Sequence, residues 1–279
     1  MQVYTTVLAL IGVVGMSALA SDVQQLPVKT IENLEQDLRS LVDDTNNLST
    51  DGYEVRTGQF PYHAQLYIKN DVESSTTLAA GSLITPNYIL THANALSRSI
   101  NSYNSTHGYA VLGMDDRRSI ETQQQINFTQ VGVQLHPNRD IATIRLDHPV
   151  TFTKFVQAIR LPSLSDSRTY EMMEGTNVGS YWSPSRYLRN QIMANDDCNE
   201  QHPHASIYSY NICTNTYVGG AFCTRMYGSG LIVQDENGPI LVGVTTLVFA
   251  CAVNYPNVYL RVSDFRDWIS VNSDYVFDF

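Results

Sequence analysis

Apolar positions along this chain fall into three successive patterns. Val3 to Ala20 reads V-Y-T-T-V-L-A-L-I-G-V-V-G-M-S-A-L-A, apolar and uncharged almost throughout. Ile31, Leu34, Leu38 and Leu41 then recur at the spacing of one helical face, with Thr30 placed to cap its start. From Tyr53 onward the period shortens. Strand-like runs separated by turn residues cover Tyr62 to Ile68, Leu78 to Thr85, Tyr88 to Leu90, Tyr109 to Gly113, Val131 to Leu135 and Asp140 to Leu146. Further runs lie near Thr176, Arg186, Ser206, Leu231, Ile240 and Val258. Asn237-Gly238, between Leu231-Ile232-Val233 and Ile240-Leu241-Val242, is a hairpin signal. Ser263 is placed to cap a last helix, Asp264 to Ser270, with Phe265, Trp268 and Ile269 on its buried side. Many short strands with turn signals predict an all-β barrel or sandwich, and the pattern alone does not choose between them.

The first apolar run ends in Ala18-Leu19-Ala20, an A-x-A cleavage site before Ser21, and reads as a signal peptide over residues 1–20. A membrane anchor is the rival. The Thr, Ser and Gly content and the cleavage site favour removal, and no later stretch could cross a bilayer. Residues 21–52 form a pro-segment or linker, and residues 53–279 form the main domain. Secretion implies an oxidising compartment, where the four Cys can pair in three ways. It also makes the sequons at Asn47, Asn104 and Asn127 candidate glycan sites, with Asn104 first because it lies in a polar loop.

Composition narrows the function. The chain has 279 residues, 43% of them hydrophobic and 16% charged, enough for a large core. Seventeen Tyr suit β-structure. The net charge of −10 argues against nucleic acid or an anionic membrane surface as partner.

Cys223 to Leu231 reads C-T-R-M-Y-G-S-G-L. It resembles the nucleophile loop of the chymotrypsin-like (trypsin family) serine proteases, where Cys is followed by x-G-D-S-G-G-P-L. Arg225 then stands for the first Gly, Met226 for the Asp and Tyr227 for the nucleophilic Ser. Gly58-Gln59-Phe60-Pro61-Tyr62 resembles the opening of the family's first strand, and Gly81-Ser82-Leu83-Ile84 and Ile89-Leu90-Thr91 match the strands before its catalytic His. There the family's T-A-A-H-C becomes Thr91-His92-Ala93-Asn94-Ala95, so Asn94 stands for the base. Ala95 and Ala79 stand for a bridged Cys pair. Asp140, in D-I-A-T-I-R-L, matches the carboxylate. The resemblance covers roughly Tyr53 to Ser270 and implies two six-stranded antiparallel β-barrels with a C-terminal helix and a site between the barrels.

What the resemblance implies for chemistry is mostly loss. Acyl transfer needs a hydroxyl, an imidazole to take its proton and a carboxylate to orient the imidazole. An amide at Asn94 cannot accept that proton, and a phenol at Tyr227 has a pKa near 10 and carries its oxygen too far out. Asp140 is expected to be mostly buried, accepting hydrogen bonds from the Asn94 amide and from Thr246. The oxyanion-hole positions hold Arg225 and Tyr227, and Arg does not take the backbone conformation Gly does. Ala221, Val248 and Asn257 occupy the specificity-pocket positions, and Leu247 replaces the usual Trp. The activation Ile is missing, since Ser49, Thr50, Asp51 and Gly52 fill its tetrapeptide; its Asp partner is missing too. Losing both ends avoids stranding a buried charge at about 3–5 kcal/mol. The resemblance implies the bridges Cys198–Cys213 and Cys223–Cys251, each on the order of 3 kcal/mol. Without Cys in residues 21–52 there is no disulfide-knotted clip module of the kind some insect protease homologues carry.

The expected molecule is a secreted, non-catalytic protease homologue that works by binding an extracellular protein, such as a protease, an inhibitor or a receptor, without cofactor, metal or membrane anchor. One alternative is an active endopeptidase with a displaced triad of His92 and Ser229. Another is an effector whose partner is unrelated to proteases. His202-Pro203-His204 with His107 or His136 lacks the spacing of a metal site, and the aromatic pair within Ser180 to Ser185 reads as packing between barrels.

Overall fold

Strand alternation builds the molecule. After the short strand β1 (Tyr53–Glu54), strand β2 (His63–Asn70) turns Ala64, Leu66 and Ile68 into a core, each at most 1% exposed. The computed structural model describes residues 52–70, 75–94, 96–97, 107–113, 120–179, 185–202, 206–216, 227–247 and 255–279. The predicted signal peptide, the predicted N-terminal helix, the sequons at Asn47 and Asn104, the Cys223–Cys251 bridge, and Ala95, Ala221, Arg225, Met226 and Val248 lie outside these residues.

The first sheet adds β3 (Ser75–Leu83), β4 (Tyr88–His92), β5 (His107–Leu112), β6 (Gln124–Thr129), β7 (Val133–Leu135) and β8 (Ile141–Arg145). All pairings are antiparallel, in the order β6-β5-β2-β3-β4-β8-β7. Its two edges are pieces of one chain segment, β6 and β7, separated only by a 3-10 turn at Gln130–Gly132. That kink lets one segment pair with β5 at one end and β8 at the other, so the sheet curls into a barrel. β6 was not among the expected strands, yet it alternates cleanly: Ile126 and Phe128 are buried and Gln125, Asn127 and Thr129 are exposed.

The second sheet holds β9 (Glu174–Gly179), β10 (Arg186–Met193), β11 (Asn211–Thr214), β12 (Gly230–Asp235), β13 (Gly238–Leu247) and β14 (Asn257–Arg261). β9 pairs with both β10 and β12, which closes a six-stranded ring, and β1 adds to β10 through Tyr53 and Tyr187. The expected β12–β13 hairpin is present: Asp235 pairs with Gly238, at φ +99°, around Glu236 and Asn237. Near Ser206 the expected strand is displaced. The chain there forms helix α1 (Asn195–Gln201) and then β11, tied together by the Cys198–Cys213 disulfide with Cα atoms 6.3 Å apart.

Each barrel has its own core, around Leu66, Ile89 and Phe128 in the first and Ile212, Leu231 and Tyr259 in the second. A third cluster, including Leu90, Ile141, Ile232, Leu241 and Leu260, packs one barrel on the other. Near the C-terminus a 3-10 turn (Val262–Phe265) leads into helix α2 (Arg266–Val271), with Phe265 and Ile269 buried as expected. Ser263 does not cap that helix: it sits inside the 3-10 turn, and its hydroxyl turns to the Asp264 carboxylate instead. The chain then runs back over the junction, where the Leu161 N–H donates to the Tyr275 hydroxyl at 2.8 Å and the Asn87 amide donates to Asp274 at 2.8 Å. Among the described residues no helix is long and apolar enough to cross a membrane.

Candidate functional site

The site forms where β4 of the first barrel meets β13 of the second. β4 has no solvent face: Ile89 enters the first core and Leu90 the junction. His92 ends this strand and is 2% exposed. Its Nε2 lies 3.2 Å from Thr246 Oγ1 and 3.9 Å from Asp140 Oδ2. Its ring stacks on Tyr227, centroids 5.3 Å apart at 26°, and its buried Nδ1 has no hydrogen-bond partner. Burial pushes the imidazole pKa down to about 4, against a smaller upward pull from the Asp140 charge. The ring is therefore neutral at physiological pH.

Asn94 and Asp140 are not arranged as expected. Asn94 is exposed, and its described hydrogen bond is made by its backbone carbonyl, which accepts from the Ser97 hydroxyl at 3.1 Å. The Asp140 side chain is 59% exposed rather than buried. No hydrogen bond joins it to the Asn94 amide or the Thr246 hydroxyl among the described residues, because Thr246 bonds His92 instead. The physical reason is supply of donors. A carboxylate enters a protein interior only with hydrogen bonds to replace water, and here the imidazole has taken the hydroxyl, so the carboxylate stays wet. The Asp140 backbone is tied down, its carbonyl accepting the Ala93 N–H at 3.0 Å. Nothing in the local sequence marked His92 as the occupant of this junction, since both faces of its strand are buried.

The end of the loop that carries Tyr227 is stitched to both barrels. The Tyr227 carbonyl accepts the Ala80 N–H at 3.0 Å, and the Gly228 N–H donates to Thr245 at 3.0 Å. Gly228 has φ +85°, and a Cβ there would stand 2.1 Å from the Ala80 carbonyl oxygen, so this is a position only glycine can fill. Ser229 is fully buried. Its hydroxyl donates to the Val178 carbonyl at 2.5 Å and accepts from the Asn177 amide at 3.1 Å. That amide also reaches the Gly230 carbonyl and Thr245 Oγ1, at 2.9 and 3.1 Å. The hydroxyl that meets His92 among the described residues is thus that of Thr246, while Ser229 is committed to the second barrel. Of the specificity-pocket positions Asn257 is described, and its amide donates to Thr214 Oγ1 at 3.3 Å across the β11–β14 pair.

Beside this junction lies a cleft of about 730 Å³ whose walls include Ala93, Ser97, Arg139, Asp140, Tyr210 and Thr246. The Arg139 guanidinium stacks 4.2 Å over the Tyr210 ring. Of the histidines weighed as metal ligands, His204 lies outside the described residues, while His107 lies in β5, His136 packs against Phe265 and Trp268, and His202 follows α1.

The family model for trypsin matches residues 49–269. The chain belongs to the trypsin family. It is similar to a collagenase of Hypoderma lineatum, 28% identical over 81% of this chain and 87% of that one. It is also similar to brachyurin of Leptuca pugilator, 30% identical over 80% of this chain and 97% of that one. The solved structure of HL collagenase superimposes with a TM-score of 0.68 at 28% identity, over 82% of this chain and all of that one. The two barrels with their C-terminal helix are therefore the family's chymotrypsin-like fold, as the motifs implied.

Proposed function

We propose that this chain is a secreted serine protease homologue that has given up peptide hydrolysis and acts by binding, as a cofactor, decoy or regulator in an extracellular protease pathway. The observation that carries the reading is the stack of Tyr227 on His92. A phenol ring at the nucleophile position covers a neutral, buried imidazole two residues before the base position, and Asn94 at the base position faces solvent. The Arg225 and Met226 replacements in the sequence agree with it. The leader-like first residues support secretion. The cleft beside Asp140 is where a partner's side chain would enter.

A second reading is an active endopeptidase, favoured by relatives that are named as proteases. Its candidate pair is His92 and Ser229, and the buried, doubly bonded Ser229 hydroxyl speaks against it. A fluorophosphonate probe separates the two. The purified chain stays unlabelled and leaves a peptide ester intact under the first reading. Labelling at Ser229, lost in Ser229→Ala, overturns it. Capture from the native secretion then distinguishes a protease or inhibitor partner from an unrelated one.

A further inference from the structure

We propose that Asn127 carries an N-linked glycan whose first sugars lie along the ring of Tyr109. The proposal rests on the reading that the chain enters the secretory route. Asn127-Phe128-Thr129 is a sequon, and the alternation of β6 decides how it stands in the fold. Ile126 and Phe128 are 2% and 1% exposed in the first core, so Asn127 and Thr129 both face out, and both are exposed. The Asn127 carbonyl is used, accepting the Asp147 N–H at 2.9 Å. Its side-chain amide makes no hydrogen bond among the described residues. A bulky modification therefore extends into solvent without displacing any contact that holds the barrel.

The neighbouring face is prepared for a sugar. Asn127 pairs directly with Tyr109 on β5, and Tyr109 pairs with Tyr67 on β2, so the three side chains form one outward row across the sheet. The two rings are stacked, centroids 4.7 Å apart at 11°. Lys69 Nζ stands 5.5 Å above the Tyr109 ring, and the Tyr67 hydroxyl donates to Gln65 at 2.7 Å. An aromatic ring accepts the C–H side of a pyranose on whatever part its neighbours leave open, while nearby amides and cations meet the sugar hydroxyls. A glycan laid this way removes apolar aromatic surface from water.

The test uses the full chain made in insect cells, once with its own leader and once with a substitute secretion leader. The recovered protein is treated with peptide N-glycosidase in heavy-oxygen water and digested. Labelled Asp at position 127 supports the proposal. Unlabelled Asn127 in chain recovered from the medium overturns it, whichever leader was used. If only the substitute leader yields secreted chain labelled at 127, the glycan site stands and the secretory reading of the native leader falls. Thr129→Ala should remove the label and Thr129→Ser should keep it. The platform is read separately, by timing an endoglycosidase that cuts between the first two sugars of the native protein. In Tyr109→Ala the sugars should be released about fivefold faster, with Tyr109→Leu as a second variant. Equal rates in folded variants would remove Tyr109 from the proposal.

Discussion

His92 and Thr246 meet across the barrel junction, Nε2 to Oγ1 at 3.2 Å, and the imidazole is neutral because burial holds its pKa at about 4. In the unfolded chain the same group titrates near 6.5. The unfolded state therefore binds the extra proton first as pH falls. The stability this neutral ring confers is complete above about pH 6.5 and is lost as pH falls toward 4, on the order of 3 kcal/mol in all. His63, also pushed down to about 4 by burial, acts in the same direction. Urea midpoints measured from pH 7 to pH 4 should fall less steeply in His92→Gln than in the wild type. Parallel curves would show that His92 titrates alike in both states.

Gly228 should tolerate no side chain. Its φ of +85° and the Ala80 carbonyl 2.1 Å from a built Cβ both penalise Gly228→Ala. Strain and overpacking together should cost at least about 3 kcal/mol. Thermal unfolding of the purified variant checks this, and a loss under about 1 kcal/mol would mean that the loop moves aside easily.

Ser229→Ala should act on stability and leave activity where it was. It removes the donor to the Val178 carbonyl and one acceptor of the Asn177 amide. Leaving buried groups unpaired costs about 1–3 kcal/mol, which denaturant unfolding will read. An esterase activity that vanished with this substitution would instead assign Ser229 a catalytic role.

Tyr275→Phe should cost about 1 kcal/mol by unpairing the Leu161 N–H. The ring still packs on Phe277, centroids 4.8 Å apart, so Tyr275→Ala should cost clearly more. Comparing the two variants by urea denaturation separates the hydrogen bond from the packing.

Legibility in the sequence followed the burial of each element. Runs such as Leu78 to Thr85 could be read because β-branched and apolar residues cluster between turn signals. β6 was missed because Gln124-Gln125-Ile126-Asn127-Phe128-Thr129 offers only two apolar residues, although their spacing of two is the strand period. α1 was missed because it is polar throughout and buries Cys198 alone; its place is fixed by the disulfide and not by an apolar face. At the site the motif register placed Asn94, Asp140 and Tyr227 near one another along the fold. It could not show that His92, two residues earlier, would claim Thr246. That outcome depends on which neighbour supplies donors in three dimensions.

Because β4 contributes Ile89 to the first core and Leu90 to the cluster that joins the barrels, disorder in this strand would strip apolar cover from the first barrel and from the junction together. Melting should therefore register as a single calorimetric peak for residues 53–279, with van't Hoff and measured enthalpies in agreement. A strand shared in this way ties the fate of two halves to five consecutive residues, Tyr88 to His92.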